Sequence, residues 1–294
     1  MTSLLTNPSA LTALQSLRAT QQSLNVAQKQ ISTGLKISTA ADNASTYSIS
    51  QTIKSDQGVL STLSDSLSVS SSLLNVAAAS VANAISVVNQ IKNGVAQAEQ
   101  PGADTAKILT NLQQLGKQLS TIVSSSSVNG VNLLDNSQGP TLKLIAAYSD
   151  GKGAAASAIS TIDVSLSALV NAGAGVLDSA QATTSAAATD LTNLTTNDLS
   201  TTAIADTLSN ADKAIADLTT YASTLGASQS RVDAQTNFVK TLNDALTSGV
   251  SALVDADLNE TSTRLQALQT QQQLGVQSLS IANQNAQIIL KLFQ

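Results

Sequence analysis

The sequence predicts a mainly α-helical protein, built as a long antiparallel coiled-coil rod with a small β-hairpin segment in its middle. Three observations lead to this fold class. Apolar residues recur with a 3.5-residue period towards both ends of the chain, the period is lost in the middle where two segments alternate in character, and only 2% of the residues are aromatic. Few aromatic side chains disfavour a spherical core and favour long helices packed side by side through aliphatic and small residues.

The most regular heptad run covers residues 49–95 and predicts the longest helix. Such a helix extends about 70 Å at 1.5 Å per residue, and its narrow apolar seam requires other helices to cover it. The seam positions, nearly all apolar, are Ile49, Ile53, Asp56, Leu60, Leu63, Leu67, Ser70, Leu74, Ala77, Val81, Ala84, Val88, Ile91 and Val95.

Shorter helices are predicted on both sides of this one. A weaker heptad run within residues 1–35 predicts an N-terminal helix that ends at Gly34, and Asp42 or Asn43 can cap the long helix after a connector. The long helix ends before Pro101, because proline disfavours helical backbone in the residue ahead of it. Asp104 can then cap a return helix, which forms an antiparallel hairpin with the long one and has on one face Ile108, Leu112, Leu115, Leu119 and Ile122.

The middle of the chain has the β signal. Residues 141–148 and 159–166 alternate in character around the Gly-containing loop 150–153, a pattern that predicts a β-hairpin. Asn129-Gly130 ends the helical pattern before it. Residues 167–200, rich in Ala, Thr and Gly, are expected to form an irregular connector or a short helix.

The heptad returns from Ile204 and predicts a long helical C-terminal region. A second heptad phase starts at Val254, and the two phases meet through consecutive four-residue steps. Such a stutter locally unwinds a left-handed supercoil, so we expect a change of packing partner and a domain boundary near Gly249. Because both ends are helical, the chain should run out and back and bring its termini together.

Composition excludes several classes of function. The net charge of -5 and pI near 4.6 argue against nucleic-acid binding, since phosphate recognition requires clustered Lys and Arg. The sequence contains no Cys and no His, which removes thiol chemistry, imidazole acid–base catalysis and His or Cys metal ligation. Nothing in the pattern indicates an enclosed pocket that would tune carboxylates for catalysis, so we expect neither an enzyme nor a cofactor site.

Two further features have simple interpretations. Asp255, Asp257 and Glu260 form an acidic cluster able to bind a cation, but a solvated helix face paired with Arg264 is the preferred interpretation. The sequence has no run of 18 apolar residues, so no membrane-spanning helix and no membrane insertion are expected. We also expect no secretory signal peptide, because the N-terminal region lacks an unbroken apolar segment after its first positive charge.

Both ends of the chain lack charge. No charged residue lies between Leu265 and Leu290, and Arg18 is the only one before Lys29. Burying a charge is far more costly than burying an amide that finds a partner. Both ends are therefore suited to being surrounded by protein. This favours assembly with copies of the same chain over two other interpretations, a low-charge helical pair within the monomer and a disordered tail.

Three stretches of the sequence resemble bacterial flagellin. They are residues 24–47 (LNVAQKQISTGLKISTAADNASTY), residues 129–134 (NGVNLL), and residues 225–232 (LGASQSRV) together with 253–293. The first resembles a Gly-containing turn segment of the family, the second the Asn-Gly strand that opens its β region, and the last two its C-terminal helices. The likeness is greatest to flagellins of the alphaproteobacterial type with a short central region.

The resemblance implies a structural subunit that self-assembles into the bacterial flagellar filament for swimming motility. It also implies discontinuous inner and outer helical domains. Residues 1–40 and 255–294 would form an inner terminal (D0-like) domain, residues 41–136 and 170–254 a helical rod (D1-like) domain, and residues 137–169 a β-hairpin and loop segment of the rod domain.

The resemblance further implies partners and a location. The subunit would form a homo-polymer with other flagellin copies and would contact the flagellar cap, hook-junction proteins and an export chaperone. It would be secreted by type III export, which needs no cleaved signal, and would reside in the extracellular filament. Two alternatives stay open: a hook–filament junction protein, whose assembly stops at a short ring, and a coiled-coil adaptor that forms a fixed dimer.

The predicted contact residues form two sets. The inner-core set, expected at the subunit interface, consists of Leu14, Leu17, Leu24, Ile31, Leu35, Leu258, Leu265, Leu268, Leu279, Ile289 and Phe293. The rod-core set consists of Ile53, Leu60, Leu63, Leu67, Leu74, Val81, Val88, Ile91, Leu112, Leu119, Leu208, Ile215 and Leu218.

Overall fold

The computed structural model describes residues 7–135, 137–149, 158–170, 175–179, 189–200 and 202–292, except for the side chains of Ala158 and of residues 285–292. These residues are mainly helical and include two small antiparallel strand pairs, which confirms the predicted fold class. The elements in chain order are α1 (Pro8–Thr33), α2 (Ala44–Ala98), α3 (Thr105–Ser125), β1 (Ser127–Val128), β2 (Val131–Asn132), β3 (Thr141–Ser149), β4 (Ala158–Ser165), a 3-10 helix (Thr196–Leu199), α4 (Ile204–Val254) and α5 (Leu258–Leu292).

The chain divides into two compact units. The first consists of Met1–Gln57 with Asp244–Gln294, and the second of Gly58–Asn243. Helices α2 and α4 contribute residues to both. Helix α4 continues without interruption through Gly249, and the break between α4 and α5 comes at residues 255–257. The predicted assignment of ranges to an inner and a rod domain stays a prediction.

Local sequence explains where the helices begin and end. The Asn7 side chain caps α1 by accepting a hydrogen bond from the Ala10 amide, and Gly34, with a φ of 71°, ends that helix. Of the two predicted caps for α2, Asn43 has that role, since its side chain accepts from the Thr46 amide at 3.1 Å. Asp104 caps α3 as predicted.

The second unit has the seam of α2 as its centre. The seam positions from Leu60 to Val95 are buried there against other elements of the unit. The prediction was wrong at the start of the seam, because Ile49 is 50% exposed and its neighbour Ser50 is buried instead. The short polar side chain of Ser50 is accommodated because its hydroxyl donates to the Tyr47 carbonyl of the preceding turn.

Helix α3 packs closely on α2 in this unit. Leu112, Leu119 and Val123 are buried. A Cβ atom at Gly94 would lie 2.7 Å from Leu112 Cδ2, so glycine permits the approach. The short turn between the helices and this contact give the antiparallel hairpin that the sequence predicts.

Helix α2 also has the hydropathy of a membrane span. An 18-residue window of it reaches a mean hydropathy of 1.5. By length and composition alone α2 is therefore a candidate span, although it has no unbroken run of 18 apolar residues, because Ala residues between the Leu, Ile and Val residues raise the average hydropathy. The seam residues Leu74, Val81 and Val88 have no exposed surface and form the core of the second unit.

The predicted β-hairpin is present. Strands β3 and β4 pair antiparallel from Thr141↔Ser165 to Ser149↔Ala158, with a bulge between Ile145 and Ala147. The predicted loop at residues 150–153 lies outside the described residues. A smaller hairpin, β1–β2, turns at Asn129-Gly130, where both residues have positive φ, 52° and 79°. This pair of conformations explains why Asn-Gly occurs there.

Described leucines of the connector between β4 and α4 are part of the core, which sequence patterns did not predict. Leu169, Leu177 and Leu191 have no exposed surface. Their backbone amides bond in turn to the carbonyls of Leu134, Leu169 and Leu177, each at 2.8 Å. The connector also passes directly over Gly116 of α3, because a Cβ atom there would lie 2.5 Å from the Thr192 carbonyl oxygen.

Tyr221 of α4 fixes the loop after the smaller hairpin. Its side chain is buried, and its hydroxyl donates to the Leu133 carbonyl at 2.8 Å. Burial raises the pKa of Tyr221 to about 12, although the backbone amide of Ser167 acts in the opposite direction. The phenol is therefore retained in its neutral, donating form.

We expect Gly116→Ala to destabilise the second unit. The added methyl group would overlap a backbone carbonyl that cannot rotate away, so the free energy of unfolding should fall by about 1–3 kcal/mol. Gly226→Ala is the matched control, because no atom lies within 4 Å of its Cβ position in α4. The control should be neutral or stabilising by ~0.5–1 kcal/mol. Urea unfolding measures both, and equal stabilities would contradict the close contact.

We expect Tyr221→Phe to change the alkaline stability of the chain. The unfolded phenol ionises near pH 10. Because folding raises the pKa of the Tyr221 phenol, the phenol's contribution to the free energy of unfolding is complete below about pH 10 and is lost as the pH rises through about 12. The variant should lose roughly 1–3 kcal/mol at neutral pH, since the Leu133 carbonyl loses its donor. Between pH 8 and pH 12 the free energy of unfolding should then fall less in Tyr221→Phe than in the control Tyr148→Phe, which keeps the Tyr221 phenol. Urea unfolding at each pH measures the difference.

Candidate functional site: the paired terminal helices

Helices α1 and α5 pack against each other in the first unit and run antiparallel. Asn7 Nδ2 donates to the Ala282 carbonyl at 2.9 Å, Gln272 Nε2 donates to Gln21 Oε1 at 2.6 Å, and Leu35 bridges to Asp255. Residue numbers thus rise along α1 as they fall along α5. The expectation that the two ends of the chain come together is confirmed for the described residues.

The contact between these helices uses small and polar side chains. Thr20, Leu24 and Ala27 are the buried residues of α1. Gly275 of α5 faces Leu17, and a Cβ atom there would lie 3.0 Å from Leu17 Cδ1. The Gln21–Gln272 pair shows how an amide enters the seam with its hydrogen bond made, at little of the cost that a charge would incur.

The predicted inner-core residues are unevenly covered within the first unit. Leu24 is buried, whereas Ile31 and Leu258 are exposed, at 36% and 53%. The side chain of Ile289 and all of Phe293 lie outside the described residues. The others are half-buried: Leu14, Leu17, Leu35, Leu265, Leu268 and Leu279. Their role at a subunit interface stays a prediction.

The predicted rod-core residues lie mostly in the second unit and are mostly buried. Ile53, which belongs to the first unit, and Leu208 and Ile215 are half-buried. The buried ones are Leu60, Leu63, Leu67, Leu74, Val81, Val88, Ile91, Leu112, Leu119 and Leu218.

Helix α5 has an exposed apolar stripe on the side away from α1. Leu274 is 58% exposed and Ile281 is 57% exposed, at positions separated by two helical turns. Gln277 lies between them, and no charged residue occurs from Leu265 to Leu290. The sequence prediction assigned one seam to this helix and missed this stripe. Its signal is a second apolar period, offset from the seam by one residue.

Helix α1 adds exposed apolar side chains to the same pair. Leu11 is 60% exposed and Val26 is 53% exposed. Val26 borders an open groove of about 500 Å³, which is lined by Gln22, Ser23, Val26, Ala27, Gln30, Arg264 and Leu268. The groove has room for side chains of a packed neighbour, and all but one of its lining residues are uncharged.

The two linkers that lead into these helices are hydrogen-bonded to each other. The Lys36 amide donates to the Val254 carbonyl at 2.7 Å, and the Ala256 amide donates to the Gly34 carbonyl at 2.9 Å. These bonds fix where α1 ends relative to the start of α5. The register of the paired helices is thus set at the linkers as well as in the seam.

Asp42 holds the first of these linkers in place. Its carboxylate accepts bonds from the amides of Thr39 and Ser38 at 2.9 and 3.1 Å and from Lys29 Nζ at 3.1 Å. The Thr39 amide, Lys29 and the Ser38 amide, in that order, hold the pKa of Asp42 well below its usual range. The carboxylate is therefore ionised and bonded at any ordinary pH.

The acidic residues at the start of α5 have structural partners. Asp257 caps the helix by accepting bonds from the amides of Asn259 and Glu260, at 2.9 and 3.2 Å. Arg264 pairs with Glu260 at 2.9 Å, as the sequence interpretation proposed. In the part of the chain that the structure describes, no group of His, Cys, Asp and Glu side chains is arranged to hold a metal ion.

Comparison with known proteins covers both ends of the chain. A model of the bacterial flagellin N-terminal helical region matches residues 4–139, and a model of the bacterial flagellin C-terminal helical region matches residues 208–293. Flagellin C of Rhizobium meliloti (strain 1021) and a flagellin of Brucella melitensis biotype 1 are each 39% identical to this chain, and each alignment covers 100% of both proteins.

One further flagellin and one solved flagellin structure are also similar to this chain. Flagellin FljM of Caulobacter vibrioides is 33% identical over 100% of this chain and 99% of its own length. Among solved structures, the crystal structure of Bacillus cereus flagellin aligns with a TM-score of 0.42 and 18% identity, covering 58% of this chain and 86% of that one.

We expect Asp42→Ala to loosen the first linker. The Ser38 and Thr39 amides lose their acceptor, so their hydrogen exchange should accelerate by about tenfold or more. Because the pKa of Asp42 is lowered by folding, the wild-type protection should persist from neutral pH down to about pH 4 and decline only as the pH falls further. Asp65→Ala, an exposed acid on α2, is the control and should leave both amides protected. Unchanged exchange in Asp42→Ala would show that the linker does not depend on this carboxylate.

Proposed function

The chain belongs to the bacterial flagellin family and is a structural subunit of the flagellar filament used for swimming; from this premise we propose that α1 and α5 are the part that neighbouring copies surround. The observation that carries the proposal is the surface of α5. It combines exposed Leu274 and Ile281 with an absence of charge from Leu265 to Leu290. In a helix that is exposed to water, the face opposite the apolar seam usually carries charged residues.

Energetics support burial of this surface between copies. Complete transfer of an exposed leucine or isoleucine side chain out of water contributes roughly 1.5–3 kcal/mol. Leu274 and Ile281 are 58% and 57% exposed, so burying the rest of each side chain contributes a little over half of that amount. The intervening glutamines and asparagines can form hydrogen bonds with one another across an interface, as Gln21 and Gln272 do within the monomer. A charge at the same positions would lose its hydration without a partner.

The half-buried residues on the facing sides of α1 and α5 are consistent with the same proposal. In it, neighbouring copies complete the burial of the predicted inner-core set, including Ile31 and Leu258, which are exposed in the single chain. Residues 1–40 and 255–294 then form the inner domain, residues 41–136 and 170–254 the rod domain, and residues 137–169 its hairpin and loop segment.

Polymerisation outside the cell requires that the subunit be exported before it assembles. The filament is extracellular, and flagellin copies polymerise with one another to form it. We propose that the subunit is secreted unfolded by type III export and meets an export chaperone, hook-junction proteins and the flagellar cap on its way. Catalysis forms no part of the proposed function. A hook–filament junction protein and an adaptor dimer receive no support from the comparisons.

We expect Gln277→Glu to impair filament growth without destabilising the monomer. The carboxylate would be forced into an uncharged interface, at a cost on the order of several kcal/mol. In elongation from sheared filament seeds, the critical concentration should rise by at least about tenfold, while the melting temperature of the monomer stays within about 2 °C of wild type.

Gln97→Glu is the matched control for this experiment. Gln97 is an exposed glutamine near the C-terminal end of α2, beside Glu99. The control variant should elongate at the wild-type critical concentration. If Gln277→Glu also elongates like wild type, the outer face of α5 does not lie between copies and the proposed role of this helix pair is wrong.

A further inference from the structure

Asn129 and Gly130 form the tight turn of the smaller hairpin, and we infer that this pair is a site of spontaneous covalent modification. The side-chain amide of Asn129 is lost there, and an aspartyl or isoaspartyl residue is left in its place. The reaction consumes water and needs no enzyme. The inference concerns the folded single chain, so it does not depend on the role proposed for α1 and α5.

The reaction is a ring closure between neighbouring residues. The backbone nitrogen of Gly130 attacks Cγ of Asn129, a C–N bond forms, and the bond from Cγ to the side-chain nitrogen breaks. The proton of the Gly130 amide leaves with that nitrogen as ammonia. Water then opens the cyclic imide at one of its two carbonyl carbons, which leaves either aspartate or isoaspartate. Glycine favours the attack because it has no Cβ atom and its backbone rotates freely.

The sequence contains this dipeptide twice, as Asn93-Gly94 and as Asn129-Gly130. Both asparagines are exposed, so access to water does not distinguish the two sites. They differ in backbone conformation. Asn93-Gly94 lies within α2, whereas Asn129-Gly130 is the two-residue turn between β1 and β2.

The helical site is held away from reaction. In an α-helix each amide donates to the carbonyl four residues earlier, so the attacking nitrogen of Gly94 is already engaged in a hydrogen bond. Opening α2 at this point would uncover Ile91 and Val95, which have no exposed surface, and would separate Gly94 from Leu112. Openings that expose core residues are the rarest ones in a folded protein.

The turn site lacks this protection. Gly130 is the second residue of a two-residue loop, where the amide makes no bond of the strand ladder. Each strand is only two residues long, and Val128 and Val131 are no more than half-buried. A hairpin of this size opens at small cost. Asn129 also has a φ of 52°, a left-handed conformation that a residue other than glycine adopts at a cost, and opening releases that cost.

Both ends of the hairpin are tied to one backbone carbonyl. The Ser126 amide donates to the Val123 carbonyl at 3.3 Å, and Asn132 Nδ2 donates to the same carbonyl at 2.7 Å. Ser126 and Asn132 are both buried. Residues 127–131 therefore form a loop between two fixed points, and any change in the length of the backbone has to be absorbed within it.

The two products differ in their effect on this loop. Each adds one negative charge. Aspartate keeps the normal backbone and is accepted at the positive-φ positions of a hairpin turn, so the strands stay paired. Isoaspartate adds a methylene group to the backbone and puts Val128 and Val131 out of register. Beyond Asn132, the bond from the Tyr221 hydroxyl to the Leu133 carbonyl is retained, so the disturbance stops at the loop.

Peptide mapping by mass spectrometry on the full-length monomer tests the inference. In mildly alkaline buffer, amide loss in the folded chain should be faster at Asn129 than at Asn93 by about a hundredfold or more, since the helical site reacts only after a costly opening. In concentrated urea the two rates should agree within about threefold, because both sites are then parts of an unfolded chain.

Two results would overturn the inferred site. One is a ratio of the two folded-state rates below about tenfold, which would mean that the turn does not favour the reaction over the helix. The other is intact Asn129 in the folded chain over a time in which the unfolded chain has reacted completely.

Asn129→Gly is the matched control for the site itself. Gly-Gly suits the same turn, so the melting temperature should stay within about 2 °C of wild type. On incubation the wild-type chain should acquire a substrate for isoaspartyl methyltransferase in the peptide that contains this turn, and the variant should not. Equal labelling of that peptide in both proteins would place the modification elsewhere and contradict the assignment.

Hydrogen exchange separates the effects of the two products. Asn129→Asp reproduces the aspartyl product and should leave the Val131 amide protected. The isoaspartyl fraction of aged protein should lose protection at Val131 by about tenfold or more and keep it at Leu134, whose amide donates to Asn132 Oδ1 at 2.8 Å. Loss of protection at Leu134 would show that the fixed points do not confine the change.

Discussion

A long helix with a narrow apolar seam cannot bury that seam by itself, and this constraint shapes both units. In the second unit α3 and α4 pack against α2, and the seam residues of α2 from Leu60 to Val95 lose almost all contact with water. The hydrophobic effect is satisfied there within one chain. Branched and long aliphatic side chains can then fill the core at high density.

The terminal helix pair meets the same constraint only in part. Its seam contains Thr20, Gln21 and Gly275, and two helices alone cannot surround each other on all sides. Each helix of the pair therefore keeps apolar side chains in water, among them Leu274 on α5 and Val26 on α1. In the proposed assembly, neighbouring copies of the subunit would provide the further helices that complete this core.

Sequence periodicity predicted the elements whose information is local. The seam of α2, the caps at Asn43 and Asp104, and the β3–β4 hairpin follow from spacing and turn chemistry within a few residues. The buried connector did not follow, because Leu169, Leu177 and Leu191 lack a period and are buried by elements distant in sequence. The second stripe of α5 was missed because a heptad reading assigns one apolar face to a helix and treats the opposite face as solvent-exposed.

The exposed apolar residues of the described part of the chain lie in small groups among polar residues. On α5 they are separated by amide side chains, which water solvates well and which a neighbouring copy can also satisfy. On the second unit they are divided between the α2 and α4 helices, with Val69 and Phe238, and the β3–β4 hairpin, with Ile145 and Ile159. Stable contacts between proteins bury on the order of 1,200–2,000 Å² of surface, far more than one exposed side chain supplies. If the filament assembles as proposed, a subunit that joins its end would bury its exposed apolar residues against several neighbouring copies at once, whereas a collision of two free subunits would offer a single contact.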